Sequence, residues 1–303
     1  MKYCSKLLVY NWNSINVKVM NNLNAVLTGV MRNFVFKGFW LIMLLVSLQY
    51  TVCGQDGVES AQDLAKKAQN PIANMISLPL QNNTNFGIGP YNRSQNVLNI
   101  QPVIPTRISD NWLLVNRMIA PVISQPDVSN ESGSTFGLGD IVYQGFFTPN
   151  TDGNVTWGVG PVVALPTATD MTLGSGKWSA GPAGIMVASL NKWVLGGVVY
   201  NAWSFAGDGD RPSYNQGSLQ YFVNYNLPKA YYLTVQPIIT VNWNAPDGDK
   251  WVVPFGGGAG KVFAIGKQKF NFNTSAYWNA VKPETLDGPD WSVRFLLAFL
   301  FPK

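Results

Sequence analysis

The sequence contains no histidine, and this absence removes several kinds of chemistry at once. It excludes a Ser-His-Asp triad, a Cys-His pair, a His general base and every His metal ligand. The two cysteines, Cys4 and Cys53, are too few for a zinc site or a disulfide framework. We therefore expect a protein that is not an enzyme and that holds no cofactor and no metal.

Charged residues are scarce, at 12% of the 303 residues, about half of the ~25% that is usual for soluble domains. Apolar residues make up 47%, which excludes intrinsic disorder. The basic excess lies in residues 1–54, which contain five Lys or Arg and no acid, so the remaining chain is neutral overall. The mature part therefore offers no basic surface for a nucleic acid, and we expect no nucleic-acid partner.

An apolar run at residues 38–48 follows Arg32 and Lys37. The run is too short for a spanning helix of ~20 residues and is typical of a secretory signal peptide. Cleavage after Gly54 would remove it. An uncleaved anchor helix and a lipoprotein attached at Cys53 are the alternatives.

Beyond residue 72 the chain consists of β-like runs separated by Gly, Asn, Asp and Pro. Most runs are 10–14 residues long, whereas globular strands cluster near 5–6 residues and a tilted membrane strand needs ~9–11. Their length favours a membrane barrel. The twelve runs lie near 73–83, 96–106, 111–123, 136–147, 154–165, 178–189, 193–205, 217–226, 231–243, 251–264, 269–281 and 291–301.

The connections between these runs alternate in length. Outer-membrane barrels alternate long outer loops with short periplasmic turns, and an even strand count puts both chain ends on one side. The acidic long loops would form an outer rim facing lipopolysaccharide, although solvated loop charges are the plainer interpretation. The long connections are 84–95, 124–135, 166–177, 206–216, 244–250 and 282–290, and the short ones are 107–110, 148–153, 190–192, 227–230 and 265–268.

Several runs alternate apolar and polar residues with a period of two. In 269–281, for example, Phe270 and Trp278 oppose Asn271 and Asn273. In a soluble sandwich the apolar face would turn inward, and in a membrane barrel it would face lipid while the polar face lines the lumen. Periodicity alone leaves both open. The lumen-lining candidates on the barrel interpretation are Asn99, Gln101, Arg117, Asp140, Gln144, Gln220, Asn224, Gln236, Asn242, Lys261, Asn271, Asn273, Ser275, Asn279 and Arg294.

Charged residues within the runs are expected in the lumen, since Arg or Lys at the lipid-facing midplane costs ~2–4 kcal/mol. A buried acid also needs a partner, so Asp140 is expected to pair with Arg117, Lys261 or Arg294. Such charges could fill a narrow barrel with salt bridges or select a solute, and both remain open. The glycine-rich stretch 256–261 lacks the Ser or Thr of a phosphate loop, so it predicts a strand that bends or that another group approaches closely.

The last run places Trp291, Val293, Phe295, Leu297, Phe299 and Phe301 on one face. This amphipathic terminal strand resembles the targeting strand of outer-membrane barrels, although Pro302 and Lys303 extend beyond it. It predicts the barrel assembly machinery as a partner.

Several stretches resemble a known family, namely 63–71, 76–86, 137–141, 160–161 and 165–169. They are similar to bacterial outer-membrane barrels classed as transporters and related to the meta-pathway of phenol degradation family, whose relatives are often mislabelled neuromedin U. The resemblance covers roughly residues 60–303. It implies a barrel in the bacterial outer membrane with a channel or transport role, and it brings no catalytic residue and no substrate.

The sequence thus predicts an all-β protein, an antiparallel transmembrane β-barrel of about twelve strands with a short N-terminal helix. We expect a channel or transporter for small neutral or amphipathic solutes, in contact with membrane lipid and lipopolysaccharide. A structural or adhesive barrel without permeation and a secreted soluble β-sandwich are the alternatives. The expected parts are an upstream extension (1–30), a signal peptide (31–54), a periplasmic or luminal helix (55–72) and a barrel (73–303).

Overall fold

The computed structural model describes residues 61–151, 153–285 and 288–302, so the predicted extension and signal peptide lie outside the described residues. One helix, α1 (Ala61–Ala68), precedes the strands. The strands are β1 (Ile76–Ile88), β2 (Arg93–Ile100), β3 (Val103–Arg107), β4 (Trp112–Pro126), β5 (Ser134–Leu138), β6 (Ile141–Pro149), β7 (Val155–Leu165), β8 (Lys177–Leu190), β9 (Trp193–Gly207), β10 (Asn215–Asn226), β11 (Tyr231–Val235), β12 (Ile238–Asn242), β13 (Trp251–Ile265), β14 (Gln268–Val281) and β15 (Trp291–Phe301).

The strands form twelve antiparallel spans, because β2 with β3, β5 with β6, and β11 with β12 each make one interrupted span. Pro102 and Pro237 lack the N–H that a regular ladder needs, and the third interruption contains Gly139, a residue that weakens strands. The first and last strands pair from Ile76–Phe301 to Phe86–Trp291. This pairing closes the sheet, so the twelve-stranded barrel is confirmed and the sandwich alternative is wrong.

The outer surface of the barrel is apolar, with an aromatic belt at each end. We call the end with the short connections the turn end and the other the loop end. Exposed tryptophans at the two ends suit the two interfaces of a bilayer. At the turn end they are Trp112, Trp157 and Trp193, and at the loop end Trp178, Trp203, Trp243, Trp251, Trp278 and Trp291.

The prediction of a long loop at 84–95 is wrong. Strand β1 continues to Ile88 and β2 begins at Arg93, so only residues 89–92 form the turn. The sequence shows no alternation here because both faces carry amides. On the interior face Asn85 Nδ2 donates to Gln95 Oε1 at 2.7 Å, and on the outer face Asn82 Nδ2 donates to Asn96 Oδ1 at 2.9 Å.

Helix α1 and the residues up to β1 lie inside the barrel at its turn end, and we call residues 61–75 the plug. Leu64 and Ala65 are buried against Ala230, Tyr232 and Leu300 of the wall. Ile72 packs into a second apolar cluster on the opposite side, formed by β3, β4 and β6 to β10. The plug is thus held between two walls of the interior.

Candidate functional site

The interior contains a cavity of about 110 Å³. Amide side chains from β1, β10, β14 and two strand interruptions line much of its wall, with Phe222, Tyr232 and Leu296 between them, and the plug covers it at the turn end. The predicted lumen residues on this cavity are Gln101, Arg117, Gln220, Gln236, Asn271 and Asn273. Gln101 and Gln236 lie at strand interruptions. The ladder is broken there, but both side chains still face the cavity.

Arg117 is buried in the interior with neutral partners. Its Nη1 donates to Gln144 Oε1 at 3.1 Å and its Nη2 to Gln101 Oε1 at 2.9 Å. Gln144 is itself 1% exposed, so the guanidinium is fixed between two wall amides. Arg117 therefore presents a positive charge to the cavity without a carboxylate beside it.

Arg294 connects several strands of the barrel wall. Its Nε donates to Asn83 Oδ1 at 2.9 Å on β1, and its Nη1 donates to the Gln236 carbonyl at 2.8 Å between β11 and β12. The guanidinium lies 4.9 Å from the centre of the Tyr277 ring on β14. One side chain thereby joins four spans, and Ser275 lies beside it in register.

The glycines of β13 leave room for groups of neighbouring strands inside the barrel. Gly256, Gly258 and Gly260 face the lumen, because they pair with Tyr277, Ser275 and Asn273. A Cβ at Gly260 would overlap the Tyr232 ring, and one at Gly256, where φ is +155°, would overlap the β14 backbone. The close approach expected at this stretch is therefore that of the Tyr232 side chain at Gly260 and of the β14 backbone at Gly256.

The expectation that Lys261 lines the lumen is wrong. Its neighbours in β13 alternate, so Lys261 lies on the outer face in register with Tyr231. Its Nζ lies 3.2 Å from the Tyr231 hydroxyl and 4.4 Å from the ring centre. Tyr231 begins β11 at the turn end, where a long basic side chain reaches the membrane interface and avoids the midplane cost.

The expectation that Asp140 pairs with a basic residue is also wrong. Its Oδ2 accepts from Ser175 N at 2.6 Å and Ser175 Oγ at 2.8 Å, and its Oδ1 accepts from Ala168 N at 3.2 Å. Asp140 therefore fixes the loop 166–176, which we call the mouth loop. Its partner could not be found from strand patterns, because the donors belong to a loop.

The mouth loop folds into the loop end of the barrel. Leu173 is 6% exposed and lies over the interior-facing Gly137 and Gly139. Arg211 donates to the carbonyls of Met171, at 3.0 Å, and Gly174. Hydrogen bonds to Asp140 and from Arg211 thus hold the mouth loop, with the apolar Leu173, at the loop end of the barrel.

The remaining predicted lumen residues lie around the interior wall. Asn99 is in register with Gln81, which lines the cavity. Asn224 is 0% exposed, and its Oδ1 accepts from Gln236 Nε2 at 3.1 Å. Asn242 and Asn279 lie towards the loop end, and Asn279 Nδ2 donates to the Pro289 carbonyl at 2.7 Å, which holds the last loop.

The plug separates this cavity from a second one, of about 750 Å³, at the turn end. Lys67, Asn70 and Ala73 line both. Gln69 Nε2 donates to Asn226 Oδ1 at 2.9 Å, and Asn226 Nδ2 donates back to Gln69 Oε1 at 3.3 Å. Neither Gln69 nor Asn226 was predicted, because local sequence does not show that a residue after a short helix contacts the end of a distant strand.

Carboxylates of the long loops bond to protein donors. Asp249 accepts from Thr285 N at 2.8 Å, and hydrogen bonds from Thr285 hold the pKa of this carboxyl below its ordinary value of 3.8. Asp247 accepts from Lys250 Nζ at 2.6 Å, and this hydrogen bond is the main cause of its lowered pKa. Among the described residues no group of three or more Cys, Asp or Glu side chains could hold a metal ion.

Within the described ranges no helix is both long and apolar enough to cross a membrane. No protein-family model and no curated protein matches the sequence. Solved structures resemble the barrel. An outer membrane channel from Pseudomonas putida F1 superposes with a TM-score of 0.57 at 16% identity, over 75% of this chain and 94% of that chain.

Two further structures match less closely. Outer membrane phospholipase A from Escherichia coli gives a TM-score of 0.42 at 15% identity, over 75% of this chain and 92% of that chain. The β domain of the Bordetella autotransporter BrkA gives a TM-score of 0.42 at 13% identity, over 76% of this chain and 99% of that chain. The first comparison supports the outer-membrane type of barrel fold. The resemblance to the meta-pathway-related family stays a prediction.

Proposed function

We propose that this protein is a channel of the bacterial outer membrane for small neutral or amphipathic solutes, and that the plug controls passage. The turn end would face the periplasm and the loops the outside. The observation that carries the proposal is the pair of cavities that residues 67–73 separate, one of about 110 Å³ inside and one of about 750 Å³ at the turn end.

The chemistry of the interior suits such solutes. Amide side chains line one wall, whereas β6 to β10 provide an apolar wall that includes Phe146, Val187 and Phe222. Amides can exchange hydrogen bonds with a passing solute, and the apolar wall accepts a hydrocarbon part. Displacing the plug would join the two cavities.

The outer surface supports the membrane setting. The two tryptophan belts match the interfaces of a bilayer, and the exposed apolar band between them would contact lipid. The loops would meet lipopolysaccharide at the outer surface. The terminal strand β15 would be the element recognised by the barrel assembly machinery.

Liposome swelling tests the proposal. Purified protein is reconstituted, and swelling is followed in iso-osmotic glycerol and in iso-osmotic raffinose. We expect swelling in glycerol that exceeds the protein-free rate, and slower swelling in raffinose because a twelve-stranded lumen is narrow. A folded barrel that leaves both rates at the protein-free value, with Gln69→Ala doing the same, would reject the channel in favour of a structural barrel.

A further inference from the structure

We infer that the inner cavity is a binding site for a small monoanionic organic acid, whose carboxylate is received by Arg117. The inference rests on the proposed channel and names the class of solute that it would admit best. It depends on the charges, the hydrogen-bond donors and the apolar surface of the cavity.

The charges around the cavity are of one sign. Its lining includes Arg117 and no Asp or Glu, and Lys67, which also lines it, has an interaction of its own. Arginine is rarely buried without a paired acid, because removing its charge from water is costly. In the described part of the chain, Arg117 bonds only to the side-chain oxygens of Gln101 and Gln144. A bound anion would supply the missing counter-charge.

Hydrogen-bond donors are also in excess beside the cavity. A guanidinium has five N–H donors, and protein acceptors take two of those of Arg117. Asn224 Nδ2 is buried without a partner among the described residues, while Asn224 Oδ1 accepts from the cavity residue Gln236. Buried donors are ordinarily satisfied. An ionised carboxylate, which only accepts, fits this surplus better than a neutral amide does.

The rest of the lining fits an apolar body attached to the carboxylate. Phe222, Leu296 and Ala298 contribute hydrocarbon surface, and Met75 adds to it from the plug. A cavity of about 110 Å³ also limits the ligand to a short chain. One guanidinium with neutral amides around it accommodates one negative charge, so a monoanion is favoured over a dianion.

Direct binding tests the site without requiring conductance. Butyrate and butyramide have nearly the same shape and differ in charge, and each is titrated into the detergent-purified full-length barrel while NMR line broadening is followed. We expect wild type to bind butyrate about tenfold more tightly than butyramide. Arg117→Gln should abolish the preference, and Arg117→Lys should keep part of it.

Arg107→Gln is the matched control, since it removes an arginine that is paired with Asp110 at 2.9 Å at the exposed turn end. It should leave the preference unchanged. Equal binding of butyrate and butyramide to wild type, or an unaltered preference in a folded Arg117→Gln barrel, would overturn the inference. Butyrate binding without any solute flux would instead reject the channel and keep the site.

Discussion

The side-chain amides of Gln69 and Asn226 bond to each other in both directions, at 2.9 Å and 3.3 Å, and so join the plug to the end of β10. Both side chains are buried, so neither amide can exchange this partner for bulk water without movement of the plug. The pair is therefore the contact through which a single substitution should most directly loosen the plug.

Gln69→Ala should increase solute flux. The substitution leaves the buried amide of Asn226 without its plug partner, which costs about 1–3 kcal/mol, and so raises the displaced population roughly tenfold. Liposome swelling in glycerol measures the effect. Asn85→Ala is the control, because it removes a comparable amide pair with Gln95, at 2.7 Å, at the loop end. An equal increase of flux in both variants would show that the flux does not depend on the plug.

Asp140→Asn should release the mouth loop. The neutral amide can accept fewer and weaker bonds from Ser175 and Ala168 than the carboxylate does. Limited proteolysis of intact proteoliposomes should then cut within residues 166–176, where wild type resists. Asp127→Asn, which alters a local bond to Ser129 N in another loop, should leave this cleavage unchanged. Wild-type resistance in Asp140→Asn would show that the carboxylate does not hold the loop.

Gly260→Ala should destabilise the barrel, because the added methyl overlaps the Tyr232 ring. A gel with and without boiling measures the temperature at which the folded band disappears, and we expect that temperature to fall. Combining Gly260→Ala with Tyr232→Ala should recover part of the loss. Gly209→Ala, at a position with nothing within 4 Å of the added atom, should have no effect. Equal temperatures for Gly260→Ala and wild type would refute the packing argument.

The contact between Asp249 and Thr285 should depend on pH. Hydrogen bonds lower the pKa of Asp249 below its ordinary value of 3.8 in the folded loop. Its stabilising effect is therefore present above that ordinary pKa and is lost as pH falls through the lower folded pKa. The Thr285 amide shift should stay constant from pH 7 to pH 5 and move on further acidification. A constant shift across that lower range, or the same titration in Asp249→Asn, would contradict the assignment.

The sequence predicted the strands well where the alternation is complete. In β14, Asn271 and Asn273 oppose Phe270 and Trp278, and the structure places the amides inside. The strand predictions failed where this alternation is interrupted. Polar residues on both faces concealed the end of β1.

The two wrong expectations about charged residues have different physical causes. Lys261 was assigned to the lumen because a charge at the lipid-facing midplane is costly, but it lies near the turn end of β13, where its long side chain reaches the interface. Asp140 does face the interior, but its donors lie in a loop that no strand pattern describes. The plug contact between Gln69 and Asn226 spans 157 positions of sequence, and no local pattern could have indicated it.

A reversible cross-link of the plug tests the central claim most directly. Gln69→Cys and Asn226→Cys are combined, joined by a short bis-methanethiosulfonate reagent that forms a disulfide with each cysteine and releases methanesulfinate, and reconstituted for swelling in glycerol. The account predicts flux at the protein-free rate while the link is intact and at least the wild-type rate after reduction. Flux that is the same before and after reduction would contradict a channel controlled by the plug.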